Sequence, residues 1–188
     1  MPKDLDVPLL WLNTPHMAEH ADATEDRAKQ GLRDNHYEHD LLIAYLKRLR
    51  APSTLDVVIL TPYKAQKRLL VQSDELRSIC AGLSDQPLEN LVRTTDEYQG
   101  REAELTILSL VRNNSLGARG WGFMTSPERL NVMFSRARFR QVVIGCGAHI
   151  ERHSSECQYL HAVWKAYQAE AADEGNARII PAAEVLSG

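Results

Sequence analysis

Three apolar runs constrain the fold more than anything else in the chain: Val57-Val58-Ile59-Leu60, Leu105 to Val111, and Gln141-Val142-Val143-Ile144-Gly145. They are short, rich in β-branched and aliphatic residues, and lack the polar alternation of a strand with one wet face, so they read as strands buried on both faces. Helical patterns lie between them. Asn35 and Glu38 form a capping-box-like start for a helix whose stripe is Tyr37, Leu41, Leu42, Tyr45, Leu46 and Leu49, ended by Ala51-Pro52-Ser53. Thr61-Pro62 predicts an N-cap and first-position proline for a second helix. Ser126-Pro127-Glu128 predicts the same for another, with Leu130, Met133, Phe134 and Ala137 as its apolar stripe through Arg138.

Val7 to Leu12 is a further strand, with Pro8 at its beginning or on a sheet edge, and Leu91 to Thr94 and Ile179-Ile180 are short ones. A last helix is expected over Ser155 to Ala172. Strands alternating with helices require right-handed crossovers and a mostly parallel sheet covered on both faces. The expected fold is therefore α/β, a three-layer sandwich in a single domain over residues 1–188. Residues 1–34 supply a strand and a mobile connection, and 173–188 a tail.

A formal charge of −3 and a pI near 6.2 give no global signature of nucleic-acid binding, so any such binding must come from a local arrangement of donors. Cys80, Cys146 and Cys157 make no Cys-x-x-Cys pair and no even framework, which fits a reducing, cytoplasmic setting, or a nuclear one in a eukaryote. No apolar run approaches the ~20 residues of a membrane span, so no membrane partner is expected. In open α/β sheets ligands bind beyond the carboxyl ends of the strands. Thr61-Pro62, Thr94-Thr95 and Arg112-Asn113 fall at such ends, and their hydroxyl, amide and guanidinium donors suit an extended phosphate backbone.

The order of motifs sharpens this reading. Thr61-Pro62-Tyr63-Lys64-Ala65-Gln66, Asn35-His36-Tyr37-Glu38, Thr95-Asp96-Glu97-Tyr98-Gln99-Gly100-Arg101-Glu102, and Arg129-Leu130-Asn131-Val132 with Ser135-Arg136-Ala137-Arg138 resemble elements of superfamily 1 helicases of the nonsense-mediated-decay and DNA-replication-helicase type. The resemblance covers most of the chain. It implies the second RecA-like domain of a helicase core, a fold of the P-loop NTPase class. Such a domain closes over ATP and Mg²⁺ held mainly by a first RecA-like domain, and grips single-stranded DNA or RNA across both. On this resemblance Arg136 is the arginine finger, Gln99, Gly100 and Glu102 face the nucleotide, and Arg129, two helical turns before Arg136, lines the cleft or makes an ion pair. Arg138 points elsewhere.

The chain departs from the family pattern in having no Gly-x-x-x-x-Gly-Lys-Ser/Thr loop, no strand ending in Asp-Glu and no Tyr-Arg-x-His element. It is thus expected to be inactive as an ATPase alone, most simply a fragment of a longer protein. Two rival chemistries come from the residues themselves. Cys146-x2-His149-x3-His153-x3-Cys157 has spacings compatible with zinc, although a Cys closing a buried strand usually acts as a small apolar residue. Asp96, Glu97, Glu102 and Glu104 offer carboxylates to a Mg²⁺-dependent nuclease, but without a nearby Lys. A non-catalytic nucleic-acid-binding scaffold is the remaining alternative. The Gly-rich loop from Asn113 to Gly122 carries Arg119 and Trp121, which either stack on a base or pack under their own loop.

Overall fold

The computed structural model describes residues 5–18, 33–49, 54–116, 120–173 and 175–187. Arg119 and most of the expected mobile connection lie outside the described residues. The elements are β1 (Leu9–Asn13), α1 (His36–Arg48), β2 (Val57–Thr61), α2 (Lys64–Val71), α3 (Asp74–Ala81), α4 (Leu88–Leu91), β3 (Val92–Thr94), β4 (Ala103–Ser109), α5 (Pro127–Phe134), β5 (Ala137–Gly145), α6 (Gly147–Arg152), α7 (Gln158–Ala172), β6 (Ala177–Pro181) and α8 (Ala182–Leu186). The six strands form one sheet in the order β3-β2-β4-β5-β1-β6, and every pairing is parallel.

The strand period of two divides the core into two layers. Leu10, Leu12, Ile59, Ile107, Val142 and Ile144 face one side, where Leu41, Leu42, Tyr45 and Leu46 of α1 cover them together with Leu70 and Leu76. Trp11, Val58, Leu60, Leu108 and Val143 face the other, against Leu130 and Met133 of α5 and Trp164 and Tyr167 of α7. The expected three-layer α/β sandwich with a RecA-like layout is what the chain adopts.

Local chemistry explains the boundaries. The Asn35 side chain accepts the Glu38 N–H at 3.1 Å to start α1, and Ser126 accepts the Arg129 N–H at 3.3 Å, with Pro127 at the first position of α5. Four expectations shift. Thr61 does not cap a helix. A residue before proline is pushed to extended backbone, so β2 runs through Thr61, whose carbonyl accepts the Thr95 N–H at 3.2 Å, and α2 starts only after Tyr63. The α5 helix ends at Phe134 instead of running through Arg138, because Ala137 already pairs with Ala103 and the Arg136 carbonyl takes the Ala103 N–H at 3.0 Å. Arg129 and Arg136 therefore do not share a helix face. Residues 88–91 form a helical turn before β3, and β4 stops at Ser109.

Candidate nucleotide and nucleic-acid site

All strands being parallel, the sheet has an amino edge and a carboxyl edge, and the residues singled out by sequence divide between them. Arg136 lies just before β5 and Gln99 to Glu102 just before β4, neighbouring strands at the amino edge. Here the two motifs meet. The Arg136 guanidinium donates from Nη1 to the Arg101 carbonyl at 3.1 Å, from Nε to the Val132 carbonyl at 2.7 Å and from Nη2 to the Ser135 hydroxyl at 2.6 Å. Those bonds fix the plane of the fork and use three of the five N–H donors an arginine carries. Gly100 takes φ +78°, with nothing within 4 Å of where a Cβ would stand, so the turn leaves open space above it. Tyr98 anchors this turn from beneath, its hydroxyl donating to the Glu102 carbonyl at 2.9 Å, while Gln99, Gly100, Arg101 and Glu102 are exposed.

Arg129 is not brought to this edge. It sits in the first turn of α5, with its guanidinium over the Phe123 ring at 4.8 Å. Arg138 pairs with Asp56 at 2.5 Å and Arg140 with Asp6. Between them Phe139 is 71% exposed, turned outward where β5 carries a bulge against β4.

The carboxyl edge carries the hydroxyl and amide row. Thr61 and Thr94 end β2 and β3 as register partners, with Thr95 following, and Arg112-Asn113 follows β4. Only Pro62 is partly exposed; Thr61, Thr94, Thr95, Arg112 and Asn113 are buried. Arg112 donates from Nε to the Tyr63 hydroxyl at 2.8 Å and lies 4.7 Å over that ring, while Tyr63 donates to the Trp121 carbonyl at 3.3 Å. Asn113 accepts the Met17 N–H at 3.0 Å and donates to the Pro15 carbonyl at 3.0 Å. These side chains build the edge from below.

A buried polar network that the sequence reading left without a role shapes the same edge. Glu38, 1% exposed, accepts the Ser109 hydroxyl at 2.6 Å and the Val111 N–H at 3.0 Å. Gln66 accepts the Asn35 N–H at 2.7 Å and donates to the Ser109 hydroxyl at 3.1 Å, and Asn35 Nδ2 donates to the Val111 carbonyl at 3.0 Å. Together they clamp Val111 at φ 72°, where the Arg112 N–H reaches back to the Leu110 carbonyl at 2.9 Å in a strained γ-turn. The available signal was polar residues on apolar faces: Glu38 shares a stripe with Leu41, Leu42 and Tyr45, and Gln66 with Leu70.

The rival sites take other forms. Cys146 Sγ accepts the His149 N–H at 3.3 Å as the cap of α6, and Cys157 donates to the His153 carbonyl at 3.1 Å. Burial pushes the Cys157 thiol up to about 12. Glu97 is engaged by Lys67 at 2.6 Å. Among the described residues no three His, Cys, Asp or Glu side chains converge to hold a metal ion, and no helix is long and apolar enough to cross a membrane. Trp121 is buried, stacked 4.7 Å from His149, with His153 edge-on at 5.7 Å.

Comparison with known proteins identifies the family. A family described as an AAA domain matches residues 2–148. The chain belongs to that family. Within it, this is a superfamily 1 helicase domain of the nonsense-mediated-decay type. A regulator of nonsense transcripts 1 homolog of Drosophila melanogaster is 37% identical over 87 residues, 46% of this chain and 7% of that protein. The DNA polymerase alpha-associated DNA helicase A of Schizosaccharomyces pombe is 31% identical over 144 residues, 74% of this chain and 20% of that protein. The rat DNA-binding protein SMUBP-2 is 32% identical over 149 residues, 78% of this chain and 14% of that protein. The helicase domain described here thus spans at most 20% of the length of these three relatives.

Proposed function

We propose that this chain is the second RecA-like domain of an ATP-dependent superfamily 1 helicase, completing an ATP site with Arg136 and holding single-stranded DNA or RNA at the carboxyl edge of its sheet. The observation that carries the reading is the meeting of Arg136 with the Gln99–Glu102 turn at the amino ends of adjacent strands, two motifs 35 residues apart in sequence joined by the Arg136 to Arg101 bond. Arg136 keeps two N–H donors beyond its internal bonds, and a guanidinium already held by carbonyls needs little reorganisation to meet an anion. Gly100 permits close approach of a phosphate or sugar, and Gln99 and Glu102 flank it with an amide and a carboxylate. ATP with its Mg²⁺, bound mainly by a first RecA-like domain, supplies the phosphoryl group and the metal charge. Arg136 is the finger toward that group, and Arg129, set apart on α5, is assigned no contact with it.

At the other edge, Pro62 with the backbone of Thr61, Thr94 and Thr95 faces the strand of nucleic acid, while Arg112 and Asn113 hold the loop that borders it. Phosphate contacts of this kind position a strand without reading its bases. The test is ATP turnover by this chain alone and by the chain joined to a domain that carries a phosphate loop. The reading expects none from the first and turnover stimulated by single strands from the second. Turnover by the chain alone that Arg136→Ala removes would overturn it.

A further inference from the structure

Two donors from neighbouring elements converge on one oxygen at the carboxyl edge. Lys67 belongs to α2, the helix that follows β2, and its ammonium lies 2.6 Å from Glu97 Oε2. The same oxygen accepts the Thr94 N–H at 2.9 Å, and Thr94 ends β3, the strand beside β2. An ammonium and a backbone N–H on a single anionic oxygen is the arrangement a phosphate oxygen takes. Glu97 comes from the helical turn Asp96–Tyr98, and its side chain is 41% exposed against 23% for Lys67, so the carboxylate closes the seat from the solvent side. A side-chain-to-backbone bond three residues back, of the kind found where a helical turn starts, accounts for the Thr94 bond alone. It does not account for a lysine recruited from a different element onto the same oxygen.

We propose that Lys67 and the Thr94 N–H form a seat for one backbone phosphate of single-stranded nucleic acid, which Glu97 fills in the free chain as an internal substitute anion. The proposal rests on the reading of the carboxyl edge as the nucleic-acid side and names two contacts and a competitor within it. Burial raises the Glu97 pKa, but the Lys67 and Thr94 donors outweigh that and hold its carboxyl below the usual range. The exchange is therefore one anion for another and needs no proton. Since the displaced group is a fixed part of the chain, Glu97 weakens binding of every sequence alike and sets affinity without selecting bases.

The experiment is fluorescence anisotropy with labelled oligothymidine and oligouridine of roughly 15 nucleotides, titrated with the chain at several salt concentrations. Glu97→Gln, which keeps an oxygen for both donors, is expected to tighten binding about 5- to 10-fold. Lys67→Ala is expected to weaken it by a similar factor and to make the salt slope shallower by about 0.7. The decisive arm is the double variant: with the ammonium gone Glu97 has little left to compete for, so Lys67→Ala with Glu97→Gln should bind like Lys67→Ala alone. Glu89→Gln, at an exposed carboxylate paired with Arg77, controls for the charge change and should shift affinity less than about two-fold. Glu97→Ser serves beside Glu97→Gln, and melting temperatures accompany both. If Glu97→Gln tightens binding as much in the Lys67→Ala background, or no more than Glu89→Gln does, the seat is overturned while the nucleic-acid reading stands. If neither the wild type nor any variant binds either strand at low salt, both fall.

Discussion

Replacing Glu38 by alanine should be among the most damaging single changes in the chain. The carboxylate is buried and accepts both the Ser109 hydroxyl and the Val111 N–H. A buried donor left without an acceptor costs ~1–3 kcal/mol, and Val111 cannot turn away cheaply, since its γ-turn is pinned by the Asn35 amide on its carbonyl. Ser109 is held as an acceptor by Gln66, which limits the directions its own proton can take. Removing a buried polar group returns part of this, leaving a net loss of about 2–5 kcal/mol. For a domain of this size that lowers the melting temperature by roughly 5–15 °C. Glu38→Gln keeps one acceptor oxygen and should lose about half as much. Denaturant unfolding of the two variants beside wild type measures both. A loss below about 1 kcal/mol for Glu38→Ala would refute the view that this carboxylate clamps the strained exit of β4.

Acid should act through His149, which is 2% exposed, stacked on Trp121, and pushed from 6.5 down to about 3 by burial first and then by His153, His16, Arg112 and Arg152. Between those values the unfolded chain binds the extra proton, so the contribution is fully present above pH 6.5 and is lost as pH falls toward 3. His149→Phe should flatten the fall in stability between those limits while leaving neutral-pH stability little changed; equal acid slopes for the two proteins would contradict this. Gly147→Ala places a Cβ 2.3 Å from the Trp164 ring, which is wedged edge-on against Trp11 at 4.8 Å and donates to Glu151 at 2.9 Å. It should cost about 2–3 kcal/mol in thermal unfolding, and a neutral result would mean that Trp164 moves aside freely.

Much of this was legible in the chain. Asn35, Ser126 and Pro127 marked helix starts because capping is decided within a few residues, and the central strands were plain from apolar runs that only a doubly covered sheet tolerates. Propensity misled where the sheet competed with it: Ala137 suits a helix, yet pairing with Ala103 claims it for β5. The β2–β3 ladder likewise drew Thr61 away from capping. Strand order, with β6 outside β1, depends on long-range pairing that no local window contains. For the site, motif order pointed to Arg136 and the Gln99–Glu102 turn. It could not say that most of the carboxyl-edge row is buried, nor that Lys67 and Glu97, thirty residues apart, meet over Thr94.

The central claim is that Arg136 serves a phosphate held by another domain and not the fold. The direct measurement is kcat for ATP hydrolysis in a protein that joins this chain to a phosphate-loop domain, with nucleotide affinity and melting temperature, for Arg136→Ala beside Arg138→Ala. Arg136 contributes three hydrogen bonds at a half-buried edge and fills no core volume, whereas Arg138 holds an exposed pair with Asp56. The account predicts a kcat lower by roughly 10³-fold or more for Arg136→Ala with affinity and melting temperature little changed, and near-wild-type behaviour for Arg138→Ala. Small, equal effects at both positions, or a large loss of melting temperature at Arg136 alone, would contradict it.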